Sequence, residues 1–408
     1  MTRRVVITGI GGVTPLGDDW PTIRGALREG RTGVRFMDNW ARFTGINTRL
    51  ACPVADFIGA DTYPRKKLRT MGAVARMATF ATERALTAAG LIDDPVLRSG
   101  RAGIAYGSSF GSPQPYVAFA ELMTQGASRK LNATSYIQMM SHTAAVNIGL
   151  YFNVTGRTIP TSSACTSGSQ AIGYAFETIR WGRADIMLAG GADELDITQT
   201  AVFDTLYATS VRNDAPHETP RPYDKDRDGL VIGEGAATLI LEEYGHARAR
   251  GAPILAEIVG FGTNTDGHHA TQPQADTMAE ALRLALSDAG LPPEAIGYVN
   301  GHGTATEWGD IAETGATAAV LGSRVPIHSL KSYFGHTLGA CGAIEAWMGI
   351  EMMREGWIAH TANLQSVDVR CAVLDYVMDG PRPLAFDTFM SNNFAFGGIN
   401  TSLVFRRM

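Results

Sequence analysis

The chain has 408 residues, 45% hydrophobic and only 18% charged, with 46 glycines; this excludes disorder and suits a tightly wound globular protein with more than one core-forming unit. Thirty-five basic and 40 acidic residues leave a net charge of −5, too mild and of the wrong sign for a protein that tracks phosphate backbones, so no nucleic-acid partner is expected. Four widely spaced cysteines without a CxxC pair argue against a disulfide framework or zinc knuckle and for a reduced, cytoplasmic setting. No apolar run approaches the roughly 18 residues of a membrane span, and the apolar run that begins at Val5 is too short for a secretory leader.

In chain order, residues 5–11 read as a short buried strand running into glycines. Gly9-Ile10-Gly11 invites a dinucleotide-binding reading, but Thr14 stands where the third glycine belongs. Residues 85–91 end an amphipathic helix with Gly90 at its C-terminal cap, and a strand over 103–107 follows. Cys165 then lies among small residues immediately before a helical stretch at 171–176. A helix N-terminus offers unpaired N–H groups and a positive dipole end, which lowers a thiol pKa; a buried structural cysteine is the alternative. Residues 224–229 copy the first six places of a calcium loop, yet the twelfth place is Gly235, so a structural turn is expected.

The same order recurs after residue 250. Gly260 and Gly262 repeat Gly9 and Gly11, residues 285–291 repeat 85–91, and His336 takes the place of Cys165, at offsets of 251, 200 and 171 residues. The shrinking offset implies insertions of 51 and 29 residues in the first half, the second of them around 110–145. Alternating strands and helices imply mainly parallel sheets, with two units, residues 1–250 and 251–408, packed face to face. His302 and His336 both sit in glycine-flanked turns expected to follow short strands directly. The glycine-rich turn over 391–400 offers free backbone N–H groups for an oxyanion hole, or is a plain hairpin. His268 and His269 have only Asp266 nearby, so no metal site is assigned.

Taken together, Ser-Ala-Cys-Thr-Ser-Gly around Cys165, Gly-His-Gly-Thr-Ala-Thr from Gly301, Lys331 and His336 within Lys-Ser-x-x-Gly-His-x-x-Gly-Ala, and residues 394–400 resemble the elongating β-ketoacyl-acyl-carrier-protein synthases, over nearly the whole chain. The resemblance implies an α/β, thiolase-like fold: duplicated βαβαβαββ halves, a five-layer α-β-α-β-α sandwich and a dimer, either of identical chains or with a related ketosynthase-like chain. It implies that Cys165 takes an acyl group from the phosphopantetheine arm of acyl carrier protein, and that His302 and His336 stabilise the enolate left when malonyl carrier protein loses carbon dioxide. The oxyanion would be held by the backbone N–H groups of Cys165 and Phe396, and no cofactor is required.

By the same resemblance Lys331 and Glu345 orient the histidine turn, Thr304 and Thr306 bind the pantetheine arm, Phe396 gates the cysteine, and Phe394 lines the substrate site. Asn300, Glu345, Ser391 and Asn392 match positions where some relatives hold a monovalent cation. Phe110 would line the acyl channel, closing it or forming a flat wall with Ser135 opposite leaving room, or is a core aromatic packing the strand end. The basic run Arg65, Lys66, Lys67 and Arg69 would dock the acidic carrier protein, or is a solvated helix face. A degradative thiolase would be expected to show a second active-site cysteine in the 396–399 turn, a coenzyme-A-using starter enzyme would show Asn for His336, and a chain-length partner would lack Cys165. The catalytic member of a heterodimer with such a partner, in a polyene-type pathway, is the alternative that stays open.

Overall fold

The computed structural model describes residues 2–408 except Asp56 and Ile58. The first half contributes five strands, β1 (Val5–Val13), β2 (Ala102–Gly107), β3 (Thr158–Thr161), β4 (Ile186–Asp193) and β5 (Gly235–Glu243). The second contributes β6 (Ala256–Thr265), β7 (Val299–Asn300), β8 (Pro326–His328), β9 (Asp375–Tyr376), β10 (Thr388–Ala395) and β11 (Ile399–Arg406). They form one sheet in the order β9-β8-β7-β10-β11-β6-β1-β5-β4-β2-β3. The order reads alike outward from the β1/β6 seam to β3 and to β8, so the fold is duplicated. The seam itself is a short antiparallel pairing of Val5, Val6 and Ile7 with Ile258, Glu257 and Ala256.

Six helices make the other layers. α1 (Ala73–Ala88) and α2 (Thr143–Phe152) cover one outer face, α4 (Ala275–Ala289) and α5 (Glu307–Leu321) the other, and α3 (Ser167–Arg180) packs with α6 (Cys341–Glu355) between the two half-sheets. This is the expected thiolase-like α-β-α-β-α sandwich. The sheets are mixed rather than mainly parallel: β2 is parallel to β3 and β4, and β7 to β8 and β10, whereas β5 and β11 run antiparallel to their neighbours. The last strand of each half follows its predecessor without a crossover helix packed on the sheet, so it returns in the opposite direction. The halves also share an edge and enclose α3 and α6, instead of simply facing each other. Residues 244–249, in the polar stretch between them, form a short helix.

The repeated Gly-x-Gly has a packing origin. A Cβ on Gly11 would lie 2.7 Å from Ala85 N, and one on Gly262 2.6 Å from Ala285 N; Gly9 and Gly260 would each meet the Cβ of Ala89 or Ala289 at 2.8 Å. The backbones of α1 and α4 therefore rest directly on β1 and β6, which only glycine permits. Both helices end alike, with Gly90 at φ 67° and Gly290 at φ 63° and the N–H groups of Leu91 and Leu291 donating to Leu86 O and Leu286 O.

The third repeat shifts. Ala164 (φ 49°) and Leu338 (φ 50°) open equivalent single helical turns, and α3 and α6 begin at Ser167 and Cys341. The offset is 338 − 164 = 174, so Gly339, not His336, is the counterpart of Cys165, and the second insertion is 200 − 174 = 26 residues. It carries helices Tyr116–Gln125 and Ala133–Met139.

Replacing Gly11 or Gly262 by Ala is expected to lower unfolding stability by about 1–3 kcal/mol, the usual range for overpacking. Gly25→Ala, in helix Trp20–Glu29 with open space around its Cα, should instead raise it by roughly 0.5–1 kcal/mol. Urea titrations of the three variants check both signs.

Candidate active site

Cys165 lies at the start of the turn leading into α3, buried against a cavity of about 530 Å³ that is also lined by His302, Thr304, Thr306, His336, Phe394 and Phe396. The structure thus brings together Cys165 and both histidines. His336 Nε2 is 2.9 Å from Cys165 Sγ, the two imidazoles meet edge to face at 5.2 Å, and Phe394 stands edge-on to His302 at 6.0 Å.

The hydrogen bonds fix the tautomers. Leu338 N–H donates to His336 Nδ1 at 3.3 Å, and the Asn393 side-chain NH₂, a donor only, contacts His302 Nδ1 at 3.4 Å. The amide is held in that orientation because it also donates to Glu345 Oε2 at 2.7 Å. Each neutral imidazole therefore carries its proton on Nε2, facing the cavity. Burial, reinforced by the charge of Lys331, holds both histidines well below 6.5, so neutral rings are the resting state. Lys331 Nζ pairs with Glu345 Oε1 at 2.5 Å, both side chains nearly solvent-free. Burial opposes the ammonium, but Glu345, together with Cys341 and Glu313, outweighs it and the lysine pKa is raised.

The thiol departs from expectation. Burial pushes Cys165 up to about 12, against the opposing pull of Lys331 and of the Phe396 and Cys165 N–H groups. The helix end is there, but for a nearly solvent-free sulfur the burial cost outweighs Lys331 and the two N–H groups. His336, too, follows a helical turn (Lys331–Phe334) rather than a strand. His302 does come just after a strand, β7, and its loop is clamped by α5: Glu313 accepts from His302 N and Gly303 N at 2.5 and 2.7 Å, and Asp310 from Thr304 N, Ala305 N and Tyr223 N. Burial raises Glu313 to about 7 and Asp310 to about 6. The sequence reading passed over both acids, although their i,i+3 spacing just past the His302 turn was a signal.

Thr304 and Thr306 face the cavity with hydroxyls 2.8 Å apart. Phe396, about one-third exposed, sits in the β10–β11 hairpin against Phe203 at 5.1 Å. Phe110 and Ser135 lie outside this cavity. Phe110 stacks on Tyr116 at 5.0 Å, and Ser135 Oγ accepts from Asn132 N in the capping box of helix Ala133–Met139. Of the basic run, Lys67 is engaged, donating to Leu150 O and Tyr151 O at 2.8 and 3.2 Å, while Arg65, Lys66 and Arg69 are exposed.

The ligand atoms of Cys165, His302 and His336 lie within 4.8 Å of one another, close enough for zinc by distance. A metal would need Nε2 lone pairs, and shifting each proton to Nδ1 would set it against the Leu338 or Asn393 N–H, so the cluster is built to donate. Asn300 Oδ1 and Asn392 Oδ1 are buried without a protein partner, and two such carbonyl oxygens fit a monovalent cation beside Ser391 and Glu345. The turn over 224–229 is a staple, as expected: Asp224 accepts from Gln365 N and Ser366 N, and Arg227 pairs with Asp368 at 2.7 Å. Near the exposed His268 and His269, Asp266 is engaged by Asn400 and Thr277.

Comparison with known proteins agrees with this geometry. Residues 2–247 match the family model of the beta-ketoacyl synthase N-terminal domain, and residues 255–365 that of the C-terminal domain. The chain is 36% identical to 3-oxoacyl-[acyl-carrier-protein] synthase 2 of Vibrio cholerae, covering 100% of this chain and 99% of that one. Among solved structures it is similar to a beta-ketoacyl synthase from Burkholderia phymatum (58% identity, TM-score 0.98) and to the ishigamide ketosynthase/chain length factor (31%, TM-score 0.91), each covered completely in both directions. With a buried cysteine facing two donor histidines on a duplicated sandwich, the chain belongs to the beta-ketoacyl synthase family.

Proposed function

We propose that the protein is a β-ketoacyl-[acyl-carrier-protein] synthase, condensing an acyl group held on Cys165 with malonyl carrier protein to give 3-oxoacyl carrier protein and carbon dioxide. The observation that carries this reading is the convergence on one sulfur and its cavity of two imidazole Nε2–H donors and two backbone N–H groups. Such a site favours negative charge that develops during a reaction.

In the loading step the Cys165 sulfur attacks the acyl thioester of the carrier. A C–S bond forms, the pantetheine C–S bond breaks, and the thiol proton passes to the departing pantetheine sulfur. No net ionisation is needed, so a thiol near 12 is no obstacle, and the Phe396 and Cys165 N–H groups receive the transient oxyanion. Malonyl carrier protein then loses carbon dioxide. Its enolate oxygen accepts from His302 and His336, and the enolate carbon attacks the Cys165 thioester. The C–S bond to Cys165 breaks as the new C–C bond forms, and one proton is taken up when the thiol returns.

Thr304 and Thr306 would bond the pantetheine arm and Phe396 would gate the cavity. We assign residues 1–250 to the half with the nucleophile and 251–408 to the half with the histidines. A monovalent cation would be held by Asn300, Ser391, Asn392 and Glu345 and would supply positive charge there. The molecule would work as a homodimer, or as the catalytic chain of a heterodimer; similarity to a ketosynthase/chain length factor supports the second. Phe110, about one-third exposed, is proposed to meet the acyl chain only once a partner chain covers it.

Cys165→Ser is expected to abolish acyl loading with the fold retained, because a hydroxyl oxygen is a much weaker nucleophile than sulfur and gives up its proton less readily as the bond to the acyl carbon forms; condensation within tenfold of wild type would refute the nucleophile. His302→Ala or His336→Ala should cut decarboxylation by about 10²–10³, the usual cost of one lost oxyanion donor, and cut loading far less. Parallel assays with labelled carrier protein separate the two steps. Reversing Arg65, Lys66 and Arg69 should raise KM for acyl carrier protein but not for a short pantetheine thioester, an effect that fades at high salt because the Debye length is about 8 Å at physiological ionic strength. Unchanged KM at low salt would place docking elsewhere.

A further inference from the structure

Asp193 closes strand β4 with its side chain fully buried. Its Oδ1 accepts from Ser108 Oγ at 2.8 Å, and its Oδ2 from Ser109 Oγ at 2.7 Å, Ser109 N at 3.1 Å and Gly339 N at 2.6 Å. Every one of these donors is neutral. Burial raises the carboxyl above its usual range, so this is a strained place for an acid, and its value must lie in what it joins.

Its partners come from both halves. Ser108 and Ser109 follow β2, where Ser108 N donates to Thr161 O at 3.1 Å and Thr161 Oγ1 to Ser167 O at 2.8 Å; this side is fixed to the turn that carries Cys165. Gly339 lies in the other half, one residue after Leu338, whose left-handed backbone (φ 50°) aims its N–H at His336 Nδ1. The space is closed on all sides. A Cβ on Gly339 would lie 2.7 Å from Asp193 Oδ2, and one on Gly168, three residues past Cys165, 2.7 Å from Gly339 O. One carboxylate thus spans the seam between the nucleophile's turn and the turn that sets the His336 tautomer.

We infer that Asp193 is a positioning residue for the condensation, clamping the Leu338–Gly339 turn so that His336 presents Nε2–H at a fixed distance from Cys165. This rests on the proposed condensing activity. The role is geometric, so an amide should largely serve: its oxygen can face the Gly339 and Ser109 N–H groups while its NH₂ faces Ser108 Oγ, which accepts from Gly111 N at 3.1 Å and keeps a second lone pair. An alanine leaves the Gly339 and Ser109 N–H groups without a partner and releases the turn.

The test measures two steps in the same preparations: acyl loading of Cys165, and carbon dioxide release from malonyl carrier protein by the preloaded enzyme. Asp193→Ala should reduce carbon dioxide release by on the order of 10²-fold, as a displacement of about 1 Å at a reacting centre does, with loading reduced far less; Asp193→Asn should restore most of the loss. Equal loss of both steps in Asp193→Ala, or no rescue by Asp193→Asn, would overturn the assignment. If Asp193→Ala does not fold by circular dichroism, Ser109→Ala decides: a selective, smaller fall in carbon dioxide release supports the clamp, and an unchanged ratio of the two steps refutes it. Wild-type protein that neither loads nor decarboxylates would instead overturn the condensing reading, not the clamp.

Discussion

The site depends on a buried ion pair. Lys331 and Glu345 sit 2.5 Å apart with almost no solvent contact, an arrangement that is costly to assemble and worse to break: removing one partner of such a pair strands a charge at roughly 3–5 kcal/mol. What the pair supplies is a cation beside two imidazoles that must not become cations themselves. Burial and Lys331 together suppress histidine protonation, and Glu345 holds Asn393, which sets the His302 tautomer. One pair therefore governs both the charge and the direction of the donors. The same logic reconciles a thiol raised to about 12 with a nucleophilic role: the site is poor at storing an anion at rest and well furnished to receive one during bond exchange.

The duplicated scaffold explains why these groups can meet. Glycines in β1 and β6 bring α1 and α4 onto the sheet at backbone contact, and α3 and α6 are enclosed between the half-sheets with their N-terminal turns side by side. Cys165 arrives from one turn. From the other half come His336, just ahead of the equivalent turn, and His302, from the loop after β7. The chemistry sits on the pseudo-symmetric seam, but it is not itself symmetric, because the residue equivalent to Cys165 is Gly339.

Much of this was legible in the sequence, for identifiable reasons. Cys165, His302 and His336 lie in short runs of small residues that no ordinary core position requires, and the Gly-x-Gly strands and glycine-capped helices repeat in order. The three-residue slip between Cys165 and His336 was hidden because the intervening turns have no side-chain periodicity to fix a register. Strand direction was hidden because strands buried on both faces, such as β1 and β4, show no alternation. Asp310 and Glu313 hold mainly backbone N–H groups, so apart from their i,i+3 spacing residue types give little sign of them, and Asp193 joins serines and a glycine that are distant in the chain. The engagement of Lys67 by two carbonyls and the use of Ser135 as a helix cap likewise depend on contacts distant in the chain or particular to one turn.

The central claim is that both imidazoles are neutral and carry their proton on Nε2. Nitrogen NMR of the protein labelled with ¹⁵N-histidine, with His302→Ala and His336→Ala used for assignment, reads this directly. The account predicts two neutral rings with protonated Nε2 at pH 7, unchanged as the pH falls through 6.5. An imidazolium at His336 at pH 7, or a proton on Nδ1 of either ring, would contradict it.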